Sequence, residues 1–172
     1  MRSPAILAAA AALALVAAPA AAPAAVRAPH VSAATLDQLH QPLPLPYDEK
    51  ADANRQVAAA KARAKARHKL LLVDLGGNWC PDCRVLAGVM ALPEVRAFVA
   101  AHYEVVMVDV GKFDRNGQVA AHWGVMQLKG VPAVLVVDPK TDRLVNRDRL
   151  FALADARTMT PQALADWLAQ WV

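Results

Sequence analysis

The chain has 172 residues, 56% of them hydrophobic, and a formal net charge of +4. That length holds one domain of ordinary size plus an extension. So mild a positive balance, with its basic cluster (Lys61, Arg63, Lys65, Arg67, His68, Lys69) free of interleaved aromatics for base stacking, reads as the solvated side of an alanine-rich helix rather than an anionic-surface patch, and with the export read below, nucleic acid is not expected as a partner.

Residues 1–24 read as a signal peptide. Arg2 precedes an alanine–leucine core, and small residues follow it, with Ala18-Pro19-Ala20 and Ala22-Pro23-Ala24 as cleavage sites. The stretch is long enough for an uncleaved anchor, but alanine is weakly apolar and Pro4, Pro19 and Pro23 punctuate the run. Export would place the protein in an oxidising compartment, the periplasm. Residues 25–46, with Pro42, Pro44 and Pro46 alternating with leucine, read as an extended linker unable to join a core. The folded domain is expected over 47–172.

Residues 48–69 lack glycine and proline, and their acidic start and basic end suit a helix. The string LLLVDLGGNWCPDCR at 70–84 follows. Its apolar run, interrupted only by Asp74 and ended by Gly76 and Gly77, reads as a strand buried on both faces. Pro81 suits the first position of a helix. Cys80 then stands at the helix N-terminus, where unpaired N–H groups and the dipole favour a thiolate. Cys83 lies one turn along the same face, within disulfide reach. Pro93 interrupts the helix, and 94–102 reads as a second piece. Strands are expected at 103–110, parallel to the first, at 133–138, and at 143–147 antiparallel to its neighbour. A short helix at 116–123 ends at Gly124. Thr160 as N-cap, Pro161 at N1 and Leu164, Trp167, Leu168 and Trp171 on one face define the last helix. Trp123, Trp167 and Trp171 read as core.

Cys80 and Cys83 are the only cysteines. Zinc needs about four ligands, and five dispersed histidines do not supply them. Haem attachment needs histidine where Arg84 stands. A structural disulfide across so short a loop would stabilise little. A redox-active dithiol remains.

Trp79-Cys80-Pro81-Asp82-Cys83 after a strand resembles the active site of the thioredoxin superfamily. Asp74 matches that family's buried acidic residue, and Gly130-Val131-Pro132 its cis-proline loop. The resemblance spans 51–172. The order WCPDCRVL, LPEVRAFV, VVMVDV, GVPAVLVVD is most similar to bacterial domains related to the C-terminal domain of thiol:disulfide interchange proteins. A cytosolic thioredoxin-related protein shares the WCPDC string. The resemblance implies an α/β thioredoxin fold, a mixed sheet flanked by helices behind an N-terminal extension. It implies Cys80 as nucleophile, Cys83 as resolving thiol and Pro132 in a cis bond. That bond would turn the Val131 backbone toward Cys80 to pair with an extended substrate. Trp79 would wall the same groove, with Pro81 and Asp82 as further substrate contacts.

Burial should raise the pKa of Asp74 and suit it to proton transfer near Cys83. Met107 stands where the family carries a partner lysine. Asp82 opposes a thiolate at Cys80, and Arg84 favours one. The expected function is a monomeric, exported thiol–disulfide oxidoreductase that reduces protein disulfides. It needs no cofactor beyond the dithiol and is recharged by a membrane electron donor. Rival readings are a non-catalytic binding module of the same fold and a thiol peroxidase.

Overall fold

The computed structural model describes residues 26–172; the expected signal peptide, residues 1–24, lies outside the described residues. Strand β1 (Leu70–Gly76) is the centre of a four-stranded sheet. Its residues from Leu71 to Gly76 are all buried, which is why the segment is almost continuously apolar. The order is β2-β1-β3-β4, with β2 at Tyr103–Asp109, β3 at Ala133–Asp138 and β4 at Arg143–Leu144. β2 runs parallel to β1 and pairs Asp74 with Met107. β3 runs antiparallel and pairs Asp74 with Val134.

Five helices complete the domain: α1 (Ala53–Ala66), α2 (Pro81–Ala91), α3 (Pro93–His102), α4 (Gly117–His122) and α5 (Pro161–Ala169). α1 and α4 cover one face of the sheet, through Ala60, Ala64, Val119 and Ala120. α2, α3 and α5 cover the other, through Leu86, Val89, Val95, Leu164 and Leu168. α2 and α3 meet at 89° across Leu92, where Pro93 starts the second helix. Together they form the crossover that a parallel β1–β2 pair requires.

The boundaries differ most from the sequence reading at the two ends of α1 and at β4, and Trp171 lies beyond the end of α5. α1 starts later than residue 48, because Asp48 accepts from the Lys50 N–H in a turn and Asp52 caps the helix by accepting from Arg55 N–H at 3.0 Å. Aspartate competes well for such local bonds, so the first acidic residue need not be the cap. α1 ends at Ala66, with His68 at φ +55°. β4 is only two residues long. Beyond it the side chain of buried Asn146 takes the place of a strand, accepting from Val136 N–H and donating to the Val134 carbonyl, both at 2.8 Å.

The larger correction concerns the expected linker. The stretch expected as a spacer over 25–46 is anchored to the domain at several points among its described residues, which begin at 26. Val31, Ala33 and Leu39 are buried among the side chains of α2, α3 and α5. Gln162 on α5 accepts from Val31 N–H and donates to the Pro29 carbonyl. Glu94 on α3 accepts from the backbone and hydroxyl of Ser32. On α2, Arg84 donates to the carbonyls of Leu43 at 2.9 Å and Pro44 at 3.3 Å. Gly88 leaves the room this needs, since a Cβ there would lie 2.9 Å from Leu43. Extended, proline-rich backbone cannot satisfy its own polar groups. Here the three helices supply the partners.

Candidate active site

The site is built where β1 ends and α2 begins. Cys80 is the N-cap of α2, with φ −86° and ψ 116°, and Pro81 takes N1. The Sγ of Cys80 accepts from the Cys83 N–H at 3.2 Å, one of the helix-terminal donors that otherwise lack a partner. Both cysteines are free thiols. Both sulfurs are buried: Cys80 is 3% exposed and Cys83 0%. Accessibility therefore separates the two sulfurs only slightly. Charge separates them strongly. A hydrogen bond from the Cys83 thiol, then the N–H groups of Cys83 and Asp82, bring Cys80 down to about 7 against burial and the Asp82 charge. Giving that bond, together with burial and the nearby Asp74, pushes the Cys83 thiol far up.

The loop before β3 faces this pair. The Val131–Pro132 peptide is cis, and the Val131 carbonyl lies 3.5 Å from Cys80 Sγ, positioned to accept the thiol proton. Trp79 is 41% exposed. Its indole N–H donates to the Gly111 carbonyl at 2.6 Å, Phe113 meets its ring edge-on at 6.1 Å, and Lys112 Nζ sits 3.8 Å over the ring. Trp79 and half-exposed Phe113 thus present an apolar shelf beside the buried sulfurs. Pro81 is exposed at the same edge.

Asp74 lies beneath, fully buried. Burial raises its carboxyl to about 7, opposed by a hydrogen bond from Tyr47. The Tyr47 hydroxyl donates to Asp74 Oδ1 at 3.0 Å, while Oδ2 has no hydrogen-bond partner among the described residues. Gly76 is required here: a Cβ would collide with both Tyr47 Oη and Cys83 Sγ, the latter at 2.7 Å.

Two residues between and beside the cysteines are placed differently from the sequence reading. Asp82 does not line a substrate face. It is 6% exposed and accepts from the backbone N–H of Arg157 at 2.9 Å and its Nε at 3.1 Å. Arg84 does not support the thiolate; its guanidinium is bound to the Leu43 and Pro44 carbonyls. The cation paired with the motif's Asp82 is Arg157. Sequence reasoning missed Arg157 and Tyr47 because both lie far along the chain from the cysteines, in segments without periodicity. The one available signal was a tyrosine at the end of a proline-rich run, where a solvated linker would not favour a large ring.

The profile of a family described as thioredoxin-like matches residues 52–139. Among solved structures, a disulphide isomerase from Xylella fastidiosa Temecula1 is 41% identical with a TM-score of 0.69. The match covers 74% of this chain and 97% of that one. The chain belongs to the thioredoxin-like family. The mixed sheet flanked by helices is that family's fold, as the resemblance implied. Family and neighbour together support a thiol–disulfide oxidoreductase type of function for the thioredoxin-like domain. A protein of unknown function from Pseudomonas aeruginosa is also similar, at 19% identity and a TM-score of 0.36, covering 70% of this chain and 85% of that one. No curated protein matches the chain. The residues matched by the family profile hold every predicted site residue, from Asp74 to Pro132; Tyr47 and Arg157 lie outside them.

Proposed function

We propose that this thioredoxin-like protein is an exported thiol–disulfide oxidoreductase whose Cys80–Cys83 dithiol reduces disulfides of partner proteins. The observation that carries the reading is Cys80 Sγ at the N-terminus of α2, bonded by the Cys83 N–H and held at a pKa of about 7. At neutral pH a large fraction is thiolate, the form that attacks a disulfide. The thiolate displaces one sulfur of the partner and forms a mixed disulfide. Cys83 then attacks Cys80, releasing the partner reduced. Asp74, on the strand directly beneath, accepts the proton that Cys83 loses. The cis loop and Trp79 frame the groove where extended substrate backbone lies against Val131.

Reduction is the direction we propose: a Cys80 thiol brought down against burial and the Asp82 charge resembles thioredoxin more than strong oxidants, which stabilise a much more acidic cysteine. The dithiol is the only redox group this reaction needs. Export rests on the pattern of residues 1–24, and in an oxidising compartment a membrane electron donor must return the pair to the dithiol state. We take the protein to act as a monomer. The similarity to a disulphide isomerase points to a second outcome of the same first step, in which the mixed disulfide is resolved by another substrate thiol.

The test combines trapping with a potential. Cys83→Ser should accumulate mixed disulfides with disulfide-bonded proteins, and Cys80→Ser should accumulate none. Equilibration of the pair with glutathione should give a potential near about −270 mV for a reductant; about −180 mV would place it with isomerases and about −120 mV with oxidants. Peroxide consumption without protein-disulfide reduction would make it a peroxidase, and neither activity a binding module.

A further inference from the structure

Tyr47 lies outside the family's matched span, yet its side chain reaches Asp74 at the floor of the site, and it is 3% exposed. It is held there from both directions. The Tyr47 N–H donates to Asn78 Oδ1 at 3.1 Å, and Asn78 Nδ2 donates back to the Tyr47 carbonyl at 2.8 Å. Asn78 directly precedes the Trp79-Cys80 pair, so the loop carrying the nucleophile also fixes the tyrosine backbone. The ring then runs inward to the hydroxyl bond with Asp74 Oδ1. Across the sheet Asp74 meets only Met107 and Val134 in register, both apolar. The phenol is the hydrogen-bond donor the carboxyl group has among the described residues.

We infer that Tyr47 is a positioning residue for the resolving half of the exchange, its hydroxyl orienting the Asp74 carboxylate to take the Cys83 proton. The inference rests on the oxidoreductase reading above. In that step the Cys83 thiol loses its proton to Asp74, and its sulfur bonds to Cys80. The bond between Cys80 and the partner sulfur breaks, and the partner leaves as a thiolate that takes a proton from water. The dithiol is oxidised by two electrons and the partner disulfide is reduced. A carboxylate in an apolar site accepts a proton productively only when it is ionised and aimed. A donor bonded to the ionised form favours that form. One oxygen bonded to Tyr47 leaves the other free of partners. The titratable groups facing Asp74 are Tyr47 from the N-terminal segment and Cys80 and Cys83 from α2, with Asp82 and Arg157 acting on Cys80.

The experiment is reaction of the reduced full chain with the aromatic disulfide dithiobis(nitrobenzoate) across a pH series. Release of the first aromatic thiol reports attack by Cys80, and release of the second reports resolution by Cys83. Tyr47→Phe should leave the first phase within about twofold. It should move the acid limb of the second phase upward by about one pH unit, a tenfold slowing at the foot of the limb. Tyr47 also faces Cys83 directly, so in an Asp74→Asn background the same substitution should move the second phase by much less than it does in the wild-type chain. Fluorotyrosine supplies an arm that keeps the ring in place. In a Tyr103→Phe chain it labels Tyr47 alone, because the chain has two tyrosines. A more acidic phenol is a better donor, so the acid limb should move down, opposite to Tyr47→Phe. This arm decides the matter if Tyr47→Phe does not fold. Second-phase profiles that stay in place, or move the same way in both arms, overturn the inference while leaving the oxidoreductase reading intact. A wild-type chain that releases neither thiol overturns that reading and the inference with it.

Discussion

Asp74 has the least comfortable position of any single residue in the site. It is fully buried, one oxygen has no partner, and its carboxyl sits near 7 rather than 3.8, with burial as the cause. A group whose folded pKa is raised contributes favourably to stability below its unfolded value, and that contribution is lost as pH rises through the folded value. For Asp74 the loss therefore runs from about pH 4 to about pH 7 and is complete above. About three pK units correspond to roughly 4 kcal/mol of penalty to the native state at pH 8. Asp74→Asn keeps the shape and an acceptor for Tyr47 but removes the charge. Urea unfolding of both proteins, held reduced, should show the variant more stable by roughly 3–4 kcal/mol at pH 8, with the difference shrinking toward pH 4. An advantage equal at both pH values would show that Asp74 does not titrate in this window. The burial and the charge were legible from a lone aspartate in an apolar strand. The tyrosine that partners it was not, because a hydrogen bond spanning 27 positions leaves no periodic trace.

At the scale of elements, the N-terminus of α2 concentrates the chemistry. Pro81 at N1, the Cys83 N–H on Cys80 Sγ and the helix dipole all follow from local sequence and were readable there. α5 was equally plain, since Thr160 accepts from Ala163 N–H at 3.1 Å and Leu164, Trp167 and Leu168 are buried. What the sequence concealed is how the turn at Ala156–Thr158, just before α5, completes α2 by placing Arg157 on Asp82. The negative charge inside the motif is thereby paired, and both its neutralisation and the Arg157 charge favour a thiolate at Cys80. Arg157→Ala should raise the midpoint of Cys80 alkylation with pH. The rise should be a few tenths of a unit, because the guanidinium is largely exposed and water screens it. Adding Asp82→Ala should return the midpoint toward the starting value. A midpoint unmoved by Arg157→Ala would confine the pair to holding the turn in place.

For the whole molecule, the fold was legible because its strands and helices carry strong local patterns and short connections. The packing of residues 26–47 was not, because proline–leucine alternation looks the same in a solvated spacer and in a strap docked on helices. What distinguishes them is the partner surface: Gln162, Glu94, Arg84 and the gap at Gly88, spread over three helices. Arg84 decides between the two views of this region. Read from sequence, it is a cation beside Cys80 that favours the thiolate. In the structure its guanidinium binds the carbonyls of Leu43 and Pro44, just upstream of Tyr47. Half-buried carbonyls that lose a charged donor are expensive, so Arg84→Ala should destabilise the protein by about 1–3 kcal/mol in urea unfolding. Amide exchange should quicken along the strap before it quickens in β1, since the strap loses its tie to α2 while the sheet keeps its ladder. The Cys80 alkylation midpoint should stay in place, in contrast to Arg157→Ala. A midpoint that rises in Arg84→Ala while stability is unchanged would return Arg84 to the thiolate and take away its role in binding the strap.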